Sequence, residues 1–343
     1  MKIYIYSGHQ NWIEHSGVGR AIYHQKNAIS KVDELELTEK KEDADVIHIN
    51  TVFPGSVHMA LWAKHHGKRV VFHAHSTKED FQNSFIGSNA VAGLFGRWIR
   101  SCYQLGDVIV TPSEYAKALL LSQGITKPVF VLSNGIDLDY YHRKSEDRTC
   151  FRKKYSFSEH DKVIMSAGLW IKRKGILDFV EMAKRLPQYQ FIWFGDSSLW
   201  SVPEEIRESV RSNLPNLHFP GYVGKEELRQ AYAGSDLFWF PTYEETEGIV
   251  VLEALAMKIP VLVRDIPVYQ GWLKHEKNVY TFRDKSQACD RIEEIIEKKA
   301  PDLTDAGYRV AAERGMEQIG LKLREIYKMS YLYQQVSSYP KET

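Results

Sequence analysis

The sequence has little cysteine: Cys102, Cys150 and Cys289 are odd in number, widely spaced and form no C-x-x-C pair. That excludes a disulfide framework and a cysteine-built zinc site, and leaves three structural thiols. Also missing is any apolar run of the roughly 20 residues that a helix needs to cross a bilayer. The chain opens on MKIYIYSGH, which reads as a β-strand and not as a charged-then-apolar export signal, so a protein that starts in the cytoplasm is expected. Charge of one sign is scarce as well. With 45 Lys and Arg against 44 Asp and Glu the net charge is +1, which argues against an overall nucleic-acid binder or a charged disordered tail. The balance hides a local excess: between residues 51 and 106, Lys64, Lys68, Arg69, Lys78, Arg97 and Arg100 outweigh Glu79 and Asp80, six minus two or +4, with five histidines besides. A basic patch of that kind suits an anionic surface.

What remains is ordinary globular composition, 43% hydrophobic and 26% charged over 343 residues, a length that favours two domains with two cores. Short, continuously apolar runs recur at 2–7, 45–51, 69–75, 107–113 and 128–135. Such runs suit strands covered on both faces of a parallel sheet, with the stretches between them as crossover helices. The polar segment 137–161 interrupts this pattern, and a second set of strands follows at 162–168, 189–196, 217–223, 237–243, 259–265 and 278–282. The expected architecture is therefore α/β, two Rossmann-like doubly wound domains facing a central cleft. We expect an N-terminal domain over 1–145, a C-terminal domain over 146–315 and a helical tail over 316–343 that packs back on the first domain.

The segment EETEGIVVLEALAMKIPVLV (244–263) poses a chemical question. Glu253 stands in an apolar run, and desolvating a carboxylate without a partner costs several kcal/mol, so a protein donor or a polar ligand must satisfy it. Gly248 lies at the strand-to-helix turn, where the first helical N–H groups, those of Gly248, Ile249 and Val250, favour an anion such as a diphosphate. Glu253 is then placed to accept bonds from ribose hydroxyls, and Glu245 to reach a sugar on the same diphosphate. Read alone, the two glutamates also fit a solvated loop acid and a half-exposed helix position. Upstream, Arg173 and Lys174 in SAGLWIKRKG form a basic pair able to clamp a pyrophosphate, the arginine by its planar fork and the lysine as a point charge, or equally a solvated loop. The loop HSGVGRAIYHQ (15–25) is no dinucleotide fingerprint, because the third glycine is absent. VVFHAHST (70–77) ends a strand in His73 and His75, which are expected on opposite faces, one packing and one in the cleft.

Glu245 and Glu253, separated by seven residues with Gly248 between, resemble the E-x7-E signature of the family-four retaining glycosyltransferases, which have the GT-B fold. The basic loop at 172–174, LSNGID (132–137) and HFPGYVGKEELRQAYAGSDLFWFP (218–241) are similar to that family too, although Leu169 stands where many members have arginine. The resemblance implies that Glu253 holds the donor ribose and that Arg173 and Lys174 hold the diphosphate. It further implies that Glu245 and His75 orient the transferred sugar, making Glu245, His75, Lys174 and Arg173 the candidate catalytic set. Tyr222 and Val223 become donor-pocket wall, or in the case of Tyr222 core, while Gly17 and Gly19 approach the donor phosphates, with Arg20 either adding charge there or pairing surface acids. Asn134, Gly135 and Asp137 are read as a structural turn. No metal is implied and no cofactor is required beyond a UDP-hexose donor substrate, because helix dipole and basic side chains neutralise the leaving diphosphate in a front-face reaction.

The segment 83–107 sets Phe85, Ile86, Val91, Leu94, Phe95, Trp98 and Ile99 beside Arg97 and Arg100, and 61–69 adds cations. These fit either a helix in the headgroup region of an anionic membrane or a core helix with a charged rim. The sequence also resembles the Gram-positive synthases that add galactose to glucosyldiacylglycerol. That implies a peripheral enzyme at the cytoplasmic face of the membrane, acting on a glycolipid and no nucleic acid. Two alternatives stay open: a capsule or wall polysaccharide transferase using a polyprenyl-diphosphate acceptor, and a noncatalytic sugar-nucleotide-binding subunit.

Overall fold

The computed structural model describes residues 1–8, 16–82, 84 and 87–337, with side chains through Tyr333. It divides into two compact units, residues 1–80, 91–137 and 314–343 in the first, and 81–90 and 138–313 in the second.

The first unit carries a six-stranded sheet ordered β2-β1-β3-β4-β5-β6, all parallel. Its strands are β1 (Lys2–Tyr6), β2 (Glu36–Leu37), β3 (Val46–Ile49), β4 (Arg69–His73), β5 (Val108–Thr111) and β6 (Val129–Val131). The helices are α1 (Gly17–Ser30), α2 (Pro54–His65), α3 (Lys78–Phe81), α4 (Ser88–Tyr103) and α5 (Glu114–Ser122). β3 and β5 are buried along their whole length, as continuous apolar runs covered on both sides must be. Ser16 caps α1 by accepting the Gly19 N–H at 3.3 Å, which satisfies one of the donors a helix start leaves over. A long final helix, here α13 (Met316–Ser337), lays Met316, Ile319, Leu323, Ile326 and Tyr327 into the same core as Ala28 and Ile29 of α1. At LSNGID, Gly135 has φ +75° and the Ile136 N–H donates to Arg314 O at 2.9 Å.

The second unit repeats the architecture with order β12-β11-β10-β7-β8-β9, again all parallel. Its strands are β7 (Val163–Ala167), β8 (Gln190–Phe194), β9 (Leu217–Gly221), β10 (Leu237–Phe240), β11 (Val261–Arg264) and β12 (Tyr280–Phe282). The helices are α6 (Asp147–Lys154), α7 (Ile176–Arg185), α8 (Glu204–Val210), α9 (Lys225–Gly234), α10 (Ile249–Ala256), α11 (Lys285–Ile296) and α12 (Thr304–Ala312). Phe179 of α7 is fully buried between Phe191, Trp193 and Trp239, stacked on the last at 5.6 Å between ring centres. Truncating so enclosed an aromatic to alanine costs about 3–5 kcal/mol. The strand order reverses between β7 and β10: the chain runs outward through β8 and β9, then returns to place β10 on the other side of β7. In open α/β sheets ligands bind at the carboxyl ends of the strands flanking such a reversal.

Candidate functional site

At that reversal β7 runs into Gly168 and a 3-10 turn at Lys172–Lys174, while β10 runs into the loop 241–247 before α10. Their meeting is fixed by local chemistry. Gly175 has φ +81°, and a Cβ there would lie 2.4 Å from Pro241 O, so the two loops touch through backbone. Tyr243 N–H donates to Arg173 O at 2.8 Å, and Arg173 Nη1 returns a bond to Glu244 O at 2.8 Å. Arg173 Nε lies 3.4 Å from Ser84 Oγ. Lys174 Nζ pairs with Glu245 Oε1, which also accepts from the Thr242 hydroxyl at 2.9 Å.

A second layer holds this loop from behind. Asp178, in the first turn of α7, accepts from Arg264 Nη2 at 2.6 Å and from the Tyr243 hydroxyl at 2.7 Å, and Arg264 lies over the Tyr243 ring at 3.9 Å. Arg264 Nε also donates to Pro241 O at 3.2 Å. Burial first, and the hydrogen bond to Asp178 second, push the Tyr243 phenol upward.

Glu253 is fully buried, and protein donors answer its desolvation: the Tyr141 hydroxyl donates to Oε1 at 2.8 Å and the Tyr232 hydroxyl to Oε2 at 2.9 Å. The sequence did not point to either tyrosine: Tyr141 lies in the polar segment 137–161, and Tyr232 lies within 218–241, where only Tyr222 and Val223 were singled out. Gly248, with φ +90°, stands immediately before Ile249 and Val250, the first residues of α10. Lys174, Arg173, Glu245, Gly248, Ile249, Val250 and Glu253 thus come together around one pair of strand ends. Tyr222 and Val223 follow β9, at the sheet edge, where Tyr222 is exposed.

His75, Gly17 and Gly19 belong to the first unit. Both glycines open α1. His75 is buried, and its Nε2 bonds Asn50 Oδ1 at 2.9 Å; Asn50 in turn donates to Gln25 Oε1 at 2.8 Å. The expectation that His73 and His75 face opposite ways is wrong. Their rings stack at 4.1 Å and 11°, with His48 beyond His73 at 5.4 Å. Side-chain direction in extended chain repeats every two residues, so positions i and i+2 share a side. Burial drives His48 and His75 down to about 3 and His73 well below the ordinary imidazole value, so the stack is neutral at neutral pH. Both ring nitrogens of His73 lack a hydrogen-bond partner.

On α4, Val91, Leu94 and Trp98 are exposed, Leu94 at 62%, and Arg97 and Arg100 are exposed beside them. The spacing i, i+3, i+7 places the three apolar side chains on one helical face. Leu61 of α2 is exposed as well. Asn83, Phe85 and Ile86 of the expected lipid-facing segment lie outside the described residues. Among the described residues no helix is long and apolar enough to cross a membrane, and no group of three or more His, Cys, Asp or Glu side chains is placed to share a metal ion.

Residues 147–311 match the Glycosyl transferases group 1 family model and residues 13–140 that of Glycosyltransferase Family 4. The chain is 38% identical to the processive diacylglycerol alpha-glucosyltransferase of Acholeplasma laidlawii, across 96% of this chain and 98% of that one. It is 27% identical to the alpha-galactosylglucosyldiacylglycerol synthase of Streptococcus pneumoniae, across 84% and 78% of the two chains. Among solved structures, HepE of Anabaena bound to UDP-glucose superposes with a TM-score of 0.77 at 16% identity, covering 96% of this chain and 99% of that one. Two parallel six-stranded α/β units, matches spanning both of them and a relative aligned nearly end to end make the chain a member of the group 1 and family 4 glycosyltransferases, with the GT-B fold.

Proposed function

We propose that the protein is a retaining hexosyltransferase that carries a hexose from a UDP-sugar to a diacylglycerol-based glycolipid acceptor at an anionic membrane surface. The observation that carries the reading is the near end-to-end similarity to a diacylglycerol glucosyltransferase, at a level that spans both units. The site chemistry agrees with it. Arg173 and Lys174, in the loop that meets the one leading to α10, supply the positive potential that a departing diphosphate requires, and Glu253, a carboxylate inside α10, is the proposed acceptor for ribose hydroxyls. Glu245, held by Lys174 and Thr242, is assigned in this reading to sugar hydroxyls, with His75 as the second sugar-orienting group. Gly17, Gly19, Tyr222 and Val223 complete the proposed donor contacts. The exposed apolar face of α4 with its arginines, and the cations of 61–69, would rest on the cytoplasmic leaflet.

Glucose and galactose differ at one hydroxyl, and the relative similar over more of the chain is named for glucose, so the donor screen starts with UDP-glucose and continues with UDP-galactose. Each is offered with diacylglycerol and with glucosyldiacylglycerol in anionic vesicles, and the product is identified by mass and anomeric linkage. An α-linked glycolipid is the expected product. Transfer confined to a polyprenyl-diphosphate sugar, or donor binding with neither transfer nor hydrolysis, would replace this reading with a polysaccharide transferase or a noncatalytic subunit respectively.

A further inference from the structure

The 3-10 turn Pro267–Tyr269 follows β11 and carries a side chain with no evident structural purpose. Tyr269 is 3% exposed, and its hydroxyl has no hydrogen-bond partner. Burying a hydroxyl unpaired costs stability that a phenylalanine of the same shape would avoid. The ring is held in place: Tyr269 N–H donates to Ile266 O at 3.1 Å, Leu273 N–H to Tyr269 O at 3.0 Å, and Trp272 meets it edge-on at 5.7 Å. So fixed, the hydroxyl sits 3.3 Å from the point where a Cβ on Gly248 would stand.

Three features therefore converge on one spot. The first is the start of α10, whose leading N–H groups have no partner within the helix. The second is Gly248, which lacks a side chain to fill the space before that start. The third is the Tyr269 hydroxyl itself. Burial, and then the Glu245 charge, hold its phenol well above the ordinary tyrosine value, so it stays protonated and acts as a donor. Glu245 Oε1 is occupied by Lys174 and Thr242, and no bond joins it to Tyr269.

We propose that Tyr269 contacts the donor substrate: its hydroxyl donates a hydrogen bond to the hexose of a nucleotide sugar whose diphosphate lies at the N-terminus of α10. This rests on the donor reading above and adds to it a residue that confers preference for the sugar-bearing nucleotide over the bare one. No bond is made or broken at Tyr269; its contribution is to binding and orientation.

The test is Tyr269→Phe in the full-length chain, with UDP and UDP-glucose titrated separately by calorimetry and the melting temperature measured without ligand. The expected result is a Kd for UDP-glucose raised about tenfold, a Kd for UDP changed less than twofold, and a melting temperature unchanged or higher. An unchanged Kd for UDP-glucose overturns the assignment, as does an equal loss for both nucleotides, which would move the contact to the diphosphate. A melting temperature several degrees lower would give the hydroxyl a structural role and overturn it too. A wild-type chain that binds neither nucleotide sinks the donor reading itself, an outcome distinct from normal wild-type binding with an indifferent variant.

Discussion

The Tyr232 hydroxyl donates to Glu253 Oε2 at 2.9 Å, joining α9 to the interior of α10. With Tyr141 on the other oxygen, the carboxylate is stable in its apolar surroundings before any ligand arrives. Glu253→Gln keeps the shape and much of this bonding, so the fold is expected to persist with a modest change in melting temperature. The activity is not. A charge-assisted bond is worth about 1.5–3 kcal/mol, which predicts a fall of about tenfold to a hundredfold in kcat/KM for the donor, measured at saturating acceptor. Wild-type kinetics in this variant would remove Glu253 from the donor site.

Lys174 and Glu245 form a nearly dry ion pair, with side chains 16% and 7% exposed. Removing one partner strands a buried charge at a cost of about 3–5 kcal/mol, whereas removing both can be close to neutral. Lys174→Ala is expected to lower stability to denaturant by about that amount and to abolish transfer. The double variant Lys174→Met with Glu245→Gln is expected to regain most of the stability and none of the activity. Recovery of activity in the double variant would show that the pair is scaffolding alone.

The histidine stack makes the first unit acid-sensitive. His48 and His75 are held near 3 and His73 lower still, against about 6.5 in the unfolded chain. The folded values are the depressed ones, so the unfolded chain binds more protons between pH about 6.5 and 3. Stability is therefore complete above pH 6.5 and is lost as pH falls through that window. Melting temperature should be flat from pH 8 to 7 and decline from 6.5 to 5.5. His73→Phe retains the stack and removes an imidazole with two unpaired nitrogens, so it should flatten the decline. A wild-type curve level from pH 7.5 to 5.5 would contradict the assignment.

If the α4 face docks on lipid, Leu94→Asp should weaken sedimentation with anionic vesicles severalfold. Hydrolysis of soluble donor should remain unchanged. The wild-type interaction should fade as salt rises, because charged contacts at exposed arginines are screened within about 10 Å at 0.1 M. Equal sedimentation of the variant and wild type would relieve this face of the role.

The sheets were legible because VIHI at β3 and VIVT at β5 are apolar without alternation, a pattern that few structures besides buried parallel strands produce. β2 was not, because Glu36–Leu37 is two exposed residues long at a sheet edge and buries nothing that would mark it. Glu253 drew attention through its apolar neighbours. Its partners stayed hidden because Tyr141 lies 112 residues away in sequence, and pattern reading does not bring distant residues into contact. The basic pair at Arg173 and Lys174 was legible as charge. That Lys174 is committed to Glu245 was not, since the pairing depends on β10 returning beside β7.

That return has a consequence for how the second unit is made. Until β10 is synthesised and added, β7 is a bare edge with its backbone donors and acceptors facing water, open to pairing with another chain. The loops bearing Lys174 and Glu245 also remain strangers until then, 71 residues apart along the chain. The corner that joins Lys174 to Glu245 thus assembles only after β10 is in place, and a fragment ending before β10 would have both an aggregation-prone border and no half-formed version of that corner.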